Sequence, residues 1–154
     1  MSTPGSVFLV LQALYPYLLR AGAVASVNGT IRVDITGGTN VSFSPSMSYI
    51  RQVLVPNLRR LGLPGLEVEL RERGWGTGKQ ALGSVSVFVQ PLASKPDKTG
   101  GYAFPKIDLD KFRRGKVKRI DIIVLAPDDV ISRDGEDIMV RGFIESETIR
   151  EFGR

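Results

Sequence analysis

Two amphipathic segments at a constant offset of 40 residues constrain this chain more than any other feature: Gln12, Leu14, Pro16, Leu18 and Arg20 recur as Gln52, Leu54, Pro56, Leu58 and Arg60. In the first, Val7, Leu11, Leu14, Tyr15, Leu18 and Leu19 fall at three- and four-residue spacings, which predicts a helix over 4–20 with one buried face. Thr3 is placed to cap it and Pro4 to take its first position. In the second, Tyr49, Ile50, Val53, Leu54, Leu58 and Leu61 predict a helix over 45–61, with Ser44 as its cap. Each proline removes one backbone hydrogen bond inside its helix, so both helices should bend. Chance and shared helix chemistry are the rival explanation of the echo, since one pair of short segments is a small repeat.

Between and after these helices the period changes from 3.6 to 2. Ile31-Arg32-Val33-Asp34-Ile35 alternates as a half-buried strand that stops at Gly37-Gly38, after a loop over 21–30. Leu66 to Leu70 and Val85 to Val89 read as two more strands around a Gly-rich loop. The order helix, strand, helix, strand, strand makes this an α/β fold with two helices side by side on one face of a sheet. Ser94 to Gly101 is a polar linker. Beyond it, Lys106 to Leu109 and Val117 to Leu125 are expected as strands around a turn at Arg113-Arg114-Gly115. Asp128 to Asp137 is expected as an acidic loop and Phe143 to Phe152 as the start of a helix. The organisation expected is therefore an αβαββ unit over 1–92, a linker over 93–103, and a partial β/α segment over 104–154.

Composition narrows the chemistry. The 154 residues contain neither cysteine nor histidine. Disulfides, thiolate nucleophiles and cysteine-ligated zinc are excluded, and with them the commonest general base. The formal charge of +5 is uneven: residues 1–105 hold 10 Lys/Arg and 5 Asp/Glu, whereas residues 106–154 hold 11 of each. The first part is the better candidate to meet an anionic partner such as RNA or a nucleotide. The apolar run Val7 to Leu19 followed by Ala21-Gly22-Ala23 has the outline of a secretory signal. Residues 1–6 carry no Lys or Arg, Gln12 and Pro16 interrupt the run, and Arg20 precedes the small residues, so secretion is not expected. Nor is a membrane span, the run being short and interrupted.

Several motifs carry competing readings. Lys79 sits in a Gly-rich loop, but the spacing lacks G-x-x-x-x-G-K-[ST] and is no phosphate loop. Lys111, Arg113, Arg114, Lys116, Lys118 and Arg119 form the densest basic run, either an RNA-phosphate contact or a solvated hairpin. Asp128, Asp129, Asp134, Glu136 and Asp137 do not have the spacing of an EF-hand, and no metal site is expected. Gly37-Gly38-Thr39-Asn40 has the residues of an ordinary strand-ending turn.

Taken together, Gly5-Ser6, Leu9 to Leu14, Pro16, the segment Gly37-Gly38-Thr39-Asn40, then Pro45, Tyr49-Ile50, Val53-Leu54, Pro56, Leu58 and the turn Arg73-Gly74-Trp75 resemble the RNA 3'-terminal phosphate cyclases and their ribosome-biogenesis relatives. The motifs keep their order over about residues 5–92, and Arg141-Gly142 with Glu147 to Phe152 resembles the following family segment. The resemblance implies a βαβαββ unit lacking its first strand, which would precede Gly5 and leave a sheet edge open to another chain.

The family's reaction converts an RNA 3'-phosphate to a 2',3'-cyclic phosphate with ATP, through a nucleotidyl group carried on a histidine. By resemblance Gln12 contacts the nucleotide, Pro45 and Tyr49 line the base, and Gly5 and Ser6 open a helix whose free amides favour phosphate. An amide can read a purine edge and an aromatic ring can stack on it. Three features depart from the family: no histidine, no N-terminal Gly-rich segment, and Gly76 to Gly83 in place of a triple-glycine turn. The expectation is a truncated cyclase-like protein of RNA processing, inactive alone and with no catalytic residue of its own. ATP with Mg²⁺ is its implied cofactor, and RNA and a completing second chain are its implied partners. A nuclear or cytoplasmic location follows by resemblance. The alternative is a non-catalytic module docking on RNA or a ribosome-assembly factor.

Overall fold

The computed structural model describes residues 4–24, 29–76, 81–93, 104–108, 110, 115–127, 129–133 and 135–152. The chain divides into two compact units, Met1–Phe112 and Arg113–Arg154.

In the first unit, helix α1 spans Val7–Val24, strand β1 Ile31–Gly37, strand β2 Leu66–Glu72 and strand β3 Gly83–Val89. Helix α2 is composite: one α turn at Met47–Tyr49, a π-helical stretch Ile50–Leu54, and a second α segment Val55–Arg60. The sheet order is β1-β3-β2, with β3 antiparallel to both neighbours. The mixed α/β class expected from the alternating periods is the one formed.

Register explains why these segments pair. Ile31, Val33 and Ile35 lie opposite Val89, Val87 and Val85, which lie opposite Leu66, Val68 and Leu70. Three apolar rows thus cross one face of the sheet, and α1 covers them with Val7, Phe8, Leu11, Tyr15, Leu19 and Ala23. Met47 and Ile50 of α2 join the same core. Each fully buried aliphatic side chain contributes about 1.5–3 kcal/mol. On the opposite face the rows are polar apart from Phe88, and Ser86, 1% exposed, sits at their centre. Its hydroxyl donates to Asp34 Oδ1 at 2.6 Å and accepts from Arg71 Nε at 3.0 Å.

Both helices start later than the sequence reading had them. Ser6, not Thr3 or Pro4, caps α1: its Oγ accepts from the amides of Phe8 at 3.2 Å and Leu9 at 3.3 Å. Thr3 lies outside the described residues. The helix then runs through residues 21–24, which had been assigned to a loop. Gly22 makes that possible, since a Cβ there would stand 2.6 Å from Pro91 Cβ and 2.8 Å from Ile31 Cδ1. Ser46, not Ser44, caps α2 by accepting from Tyr49 N at 3.2 Å. The expected bend in α2 takes the form of the π stretch, in which Val55 N donates to Ile50 O. The widened turn accommodates Pro56, whose ring would otherwise meet the carbonyl of residue 52. At its C-terminus Gly62, with φ of +78°, closes a Schellman-type end in which Leu63 N donates to Leu58 O at 3.1 Å.

By length and composition α1 is apolar enough to cross a membrane. In this fold seven of its residues are buried within the unit.

The described residues from 104 onward correct the sequence reading most. Residues 104–108 and 115–127 form no strand, and β4 (Val130–Arg133) and β5 (Glu136–Met139) instead pair as an antiparallel hairpin within the stretch expected to be an acidic loop. A strand needs a partner as well as alternation, and Val130, Ser132 and Arg133 find theirs in Met139, Asp137 and Glu136. Gly135, with φ of +84°, supplies the turn. Helix α3 follows at Val140–Phe152, three residues earlier than expected, with Arg141–Glu145 and Arg150–Glu147 pairs along it.

Candidate nucleotide and RNA site

Three chain turns converge where α1 begins. Gly38 N donates to Gly5 O at 2.9 Å and Val7 N to Gly38 O at 3.1 Å, so the residues ahead of α1 make one parallel bridge with the end of β1. Thr39 N and Asn40 N both donate to Gly74 O at 2.9 Å, and Gly74 N donates to Thr39 Oγ1 at 3.0 Å. Arg73 Nη1 donates to Asn40 Oδ1 at 2.9 Å, and its guanidinium lies 5.7 Å from the centre of the Trp75 ring. Glycines permit this closeness: a Cβ on Gly37 would stand 2.6 Å from Gly5 O, and one on Gly74 would stand 2.2 Å from Gly83 N. The Gly37-Gly38-Thr39-Asn40 and Arg73-Gly74-Trp75 segments are thus one interlocked turn pair, with buried Thr39 as its pin.

Of the sequence-derived nucleotide residues, Gly5, Ser6 and Pro45 meet at this knot. Ser6 and Ser44 are hydrogen-bonded through their hydroxyls, and Ser44 Oγ donates to Pro45 O at 3.2 Å, which brings Gly5, Ser6 and Pro45 together. Tyr49 is 46% exposed on the first turn of α2, although its spacing had grouped it with the apolar face. Gln12 is exposed on α1, six residues beyond Ser6 and therefore about 9 Å along the helix. Neither side chain is consumed by the core.

The amides expected to be free for phosphate are in use. Val7 N goes to Gly38 O, Phe8 N and Leu9 N to Ser6 Oγ, and Val10 N to Ser6 O at 3.4 Å. Among the described residues no cluster of three or more Asp, Glu, His or Cys is placed to hold a metal ion.

Phe43 escaped the sequence reading. It is fully exposed in the loop that carries Ser44 and Pro45, with φ of +57°. A left-handed backbone under an aromatic residue is strained. The available signal was an aromatic residue between two serines in a loop rather than in any periodic segment.

Two groups have shifted acidity. Burial pushes the Tyr15 phenol up, and its hydroxyl has no hydrogen-bond partner among the described residues. The Ser86 hydroxyl and then the Arg32 guanidinium hold the Asp34 carboxyl below its ordinary value.

Of the basic run, Lys111, Arg113 and Arg114 lie outside the described residues. Lys116, Lys118 and Arg119 are exposed on an irregular segment rather than a hairpin, and Arg119 is paired with Asp121 at 2.8 Å. In the first unit, a groove of about 710 Å³ is lined by Pro16, Tyr17, Arg20, Ala21, Val24 and Phe104, at the opposite end of α1 from Ser6.

Comparison with known proteins matches this architecture to one family. The family described as RNA 3'-terminal phosphate cyclase matches residues 1–124. Proteins of that name are similar to this chain in Caldivirga maquilingensis (44% identical over 92 residues, 59% of this chain and 23% of the relative) and Pyrococcus furiosus (42% over 97 residues, 63% and 26%). The Drosophila melanogaster protein of that name is 33% identical over 90 residues, 58% of this chain and 22% of the relative. The matched segment spans about a quarter of the length of these relatives. Since the family match covers most of the chain and takes in both interlocked turns, this protein belongs to the RNA 3'-terminal phosphate cyclase family.

Proposed function

We propose that this chain supplies the base-recognition part of a cyclase-type nucleotide site in RNA processing and does not catalyse cyclisation by itself. The observation that carries this reading is that Gln12 on α1 and Tyr49 on α2 keep their side chains exposed to solvent and out of the core. Gln12 presents a donor and an acceptor to a purine edge, Tyr49 a stacking surface, and Pro45 a rigid wall held through Ser44 to Ser6. Because the sequence has no histidine, a nucleotidyl group carried on that residue would require another polypeptide segment to provide it. ATP is the nucleotide that the family implies. The amides of Val7 to Val10 already have partners, which favours a pose with the phosphates away from the α1 terminus.

Calorimetric titration of the chain with ATP, with and without magnesium, tests the proposal. Saturable binding that Gln12→Ala and Tyr49→Ala each weaken supports it, and binding by adenosine alone would show that the base carries the affinity. A cooperatively folded chain that takes up no nucleotide refutes it.

A second reading, RNA docking, draws on the exposed Lys116 and Lys118. It predicts an RNA affinity that falls steeply with salt, and with a shallower slope when both lysines are neutralised.

A further inference from the structure

We infer that Arg73 and Asn40 together form an anion site that takes a phosphate group, either of the bound nucleotide or of an RNA end. The inference rests on the nucleotide-site reading for its ligand, and it adds the place where a phosphate is held.

Arg73 is partly buried where β2 gives way to the turn Arg73-Gly74-Trp75. Its guanidinium carries five N–H donors, and one is used, Nη1 donating to Asn40 Oδ1 at 2.9 Å. The Trp75 ring, 5.7 Å from the guanidinium carbon, holds it from another side. Among the described residues no carboxylate comes within ion-pair distance of it. The sequence Gly76 to Gly83 that follows this turn contains no Asp or Glu. The arginines of the sheet face differ, since Arg32 pairs with Asp34 at 3.1 Å and Arg71 with Glu69 at 2.7 Å. Arg20, Arg51, Arg59 and Arg60 lack such pairs, but they are exposed, and water screens a lone surface charge. A guanidinium that is both partly buried and without a counter-ion is costly to hold, and an anion from outside the chain offsets that cost.

Asn40 supplies further donors at the same place. Its Oδ1 accepts from Arg73, and Thr39 Oγ1 lies 3.3 Å from the same oxygen. Because a guanidinium can only donate, the contact fixes which way the amide is turned and leaves the Nδ2 group to donate elsewhere. Among the described residues no acceptor takes those hydrogens. The backbone beneath is fastened, with Thr39 N and Asn40 N both donating to Gly74 O at 2.9 Å, so the donors are in position before a ligand arrives. A planar guanidinium fork matches two oxygens of a phosphate, and the carboxamide reaches a third, one more than a carboxylate ligand has. Gly38, two residues before Asn40, is bonded to Gly5 and Val7, which ties this donor set to the knot where Gly5, Ser6 and Pro45 meet.

Calorimetric titration of the 154-residue chain with two probe pairs provides the test: ATP against adenosine, and a short oligoribonucleotide ending in a 3'-phosphate against the same one ending in a 3'-hydroxyl. The wild type should bind the phosphate-bearing member of at least one pair about tenfold more tightly. A preference within the first pair assigns the site to the nucleotide's phosphates, and one within the second assigns it to the RNA end. Asn40→Asp should abolish the preference, since its carboxylate gives Arg73 a counter-ion and removes the amide donors. That variant keeps the bond accepted from Arg73, so its unfolding temperature should be no lower than the wild type's. Arg73→Gln should lose the preference as well, while Asn57→Asp, the same charge change at an exposed position of α2, should retain it. Equal affinities within both pairs, a preference that survives Asn40→Asp, or an Asn40→Asp chain less stable than the wild type would each overturn the proposal. Failure of adenosine to bind would count against the base-recognition reading alone, because the oligoribonucleotide pair still reports on Arg73 and Asn40.

Discussion

Helices α1 and α2 share a skeleton at a constant offset of 40 residues, yet they fold differently. α1 packs over β1 and β3, buries seven residues, and stays α-helical through Pro16. α2 lies mainly against β2, buries Met47 and Ile50, and opens into a π stretch ahead of Pro56. The same proline at the same place in the motif therefore has two outcomes. Where packing on both sides is tight, the helix holds its course and forgoes one hydrogen bond; where the helix lies at the margin, the backbone widens instead.

The largest test of this difference is a pair of truncations. Phe8→Ala, at a fully buried position of α1, should cost about 3–5 kcal/mol, and Ile50→Ala in α2 about 2 kcal/mol, because the margin can collapse around the smaller side chain. Chemical denaturation of both variants checks the order, and equal losses would mean that α2 is as central as α1. Next come the prolines. Pro16→Ala should raise stability by about 1 kcal/mol by restoring a donor to the carbonyl of residue 12, whereas Pro56→Ala should change it less, since the π stretch has already accommodated the ring. Thermal unfolding separates these outcomes, and a larger gain at Pro56 would break the comparison.

The smallest effect concerns the sheet face away from the helices. Asp34 is ionised more readily in the folded chain than at its ordinary value of 3.8. Its contribution to stability is therefore complete above that value and is lost as the pH falls through the lower folded value. Unfolding midpoints measured across acidic pH should show this loss in the wild type and not in Asp34→Asn.

How far the fold was legible follows from where the signal lay. The strands β1, β2 and β3 were readable because Ile31-Arg32-Val33-Asp34-Ile35 and its counterparts alternate and end at glycines, so local pattern and tertiary role agree. Residues 117–125 are rich in β-branched residues too, yet they make no strand. A hairpin forms instead with Gly135 in its turn, a glycine signal that the surrounding acidic residues obscured. At the candidate site Gly5, Ser6, Pro45, Gln12 and Tyr49 could be singled out by their motif, but Phe43 belongs to no period and showed itself only through its exposure and backbone angle.

The sequence by itself determined the element types, the apolar rows that cross the sheet, and the absence of imidazole and thiol chemistry, because periodicity and composition are local properties of the chain. Tertiary structure decided the rest. It chose Ser6 over Thr3 as the cap of α1, filled the amides that the helix start had offered to phosphate, and set Asp34 of β1 against the buried Ser86 of β3. Each of those outcomes depends on which distant groups come within hydrogen-bonding reach, and no local pattern encodes that.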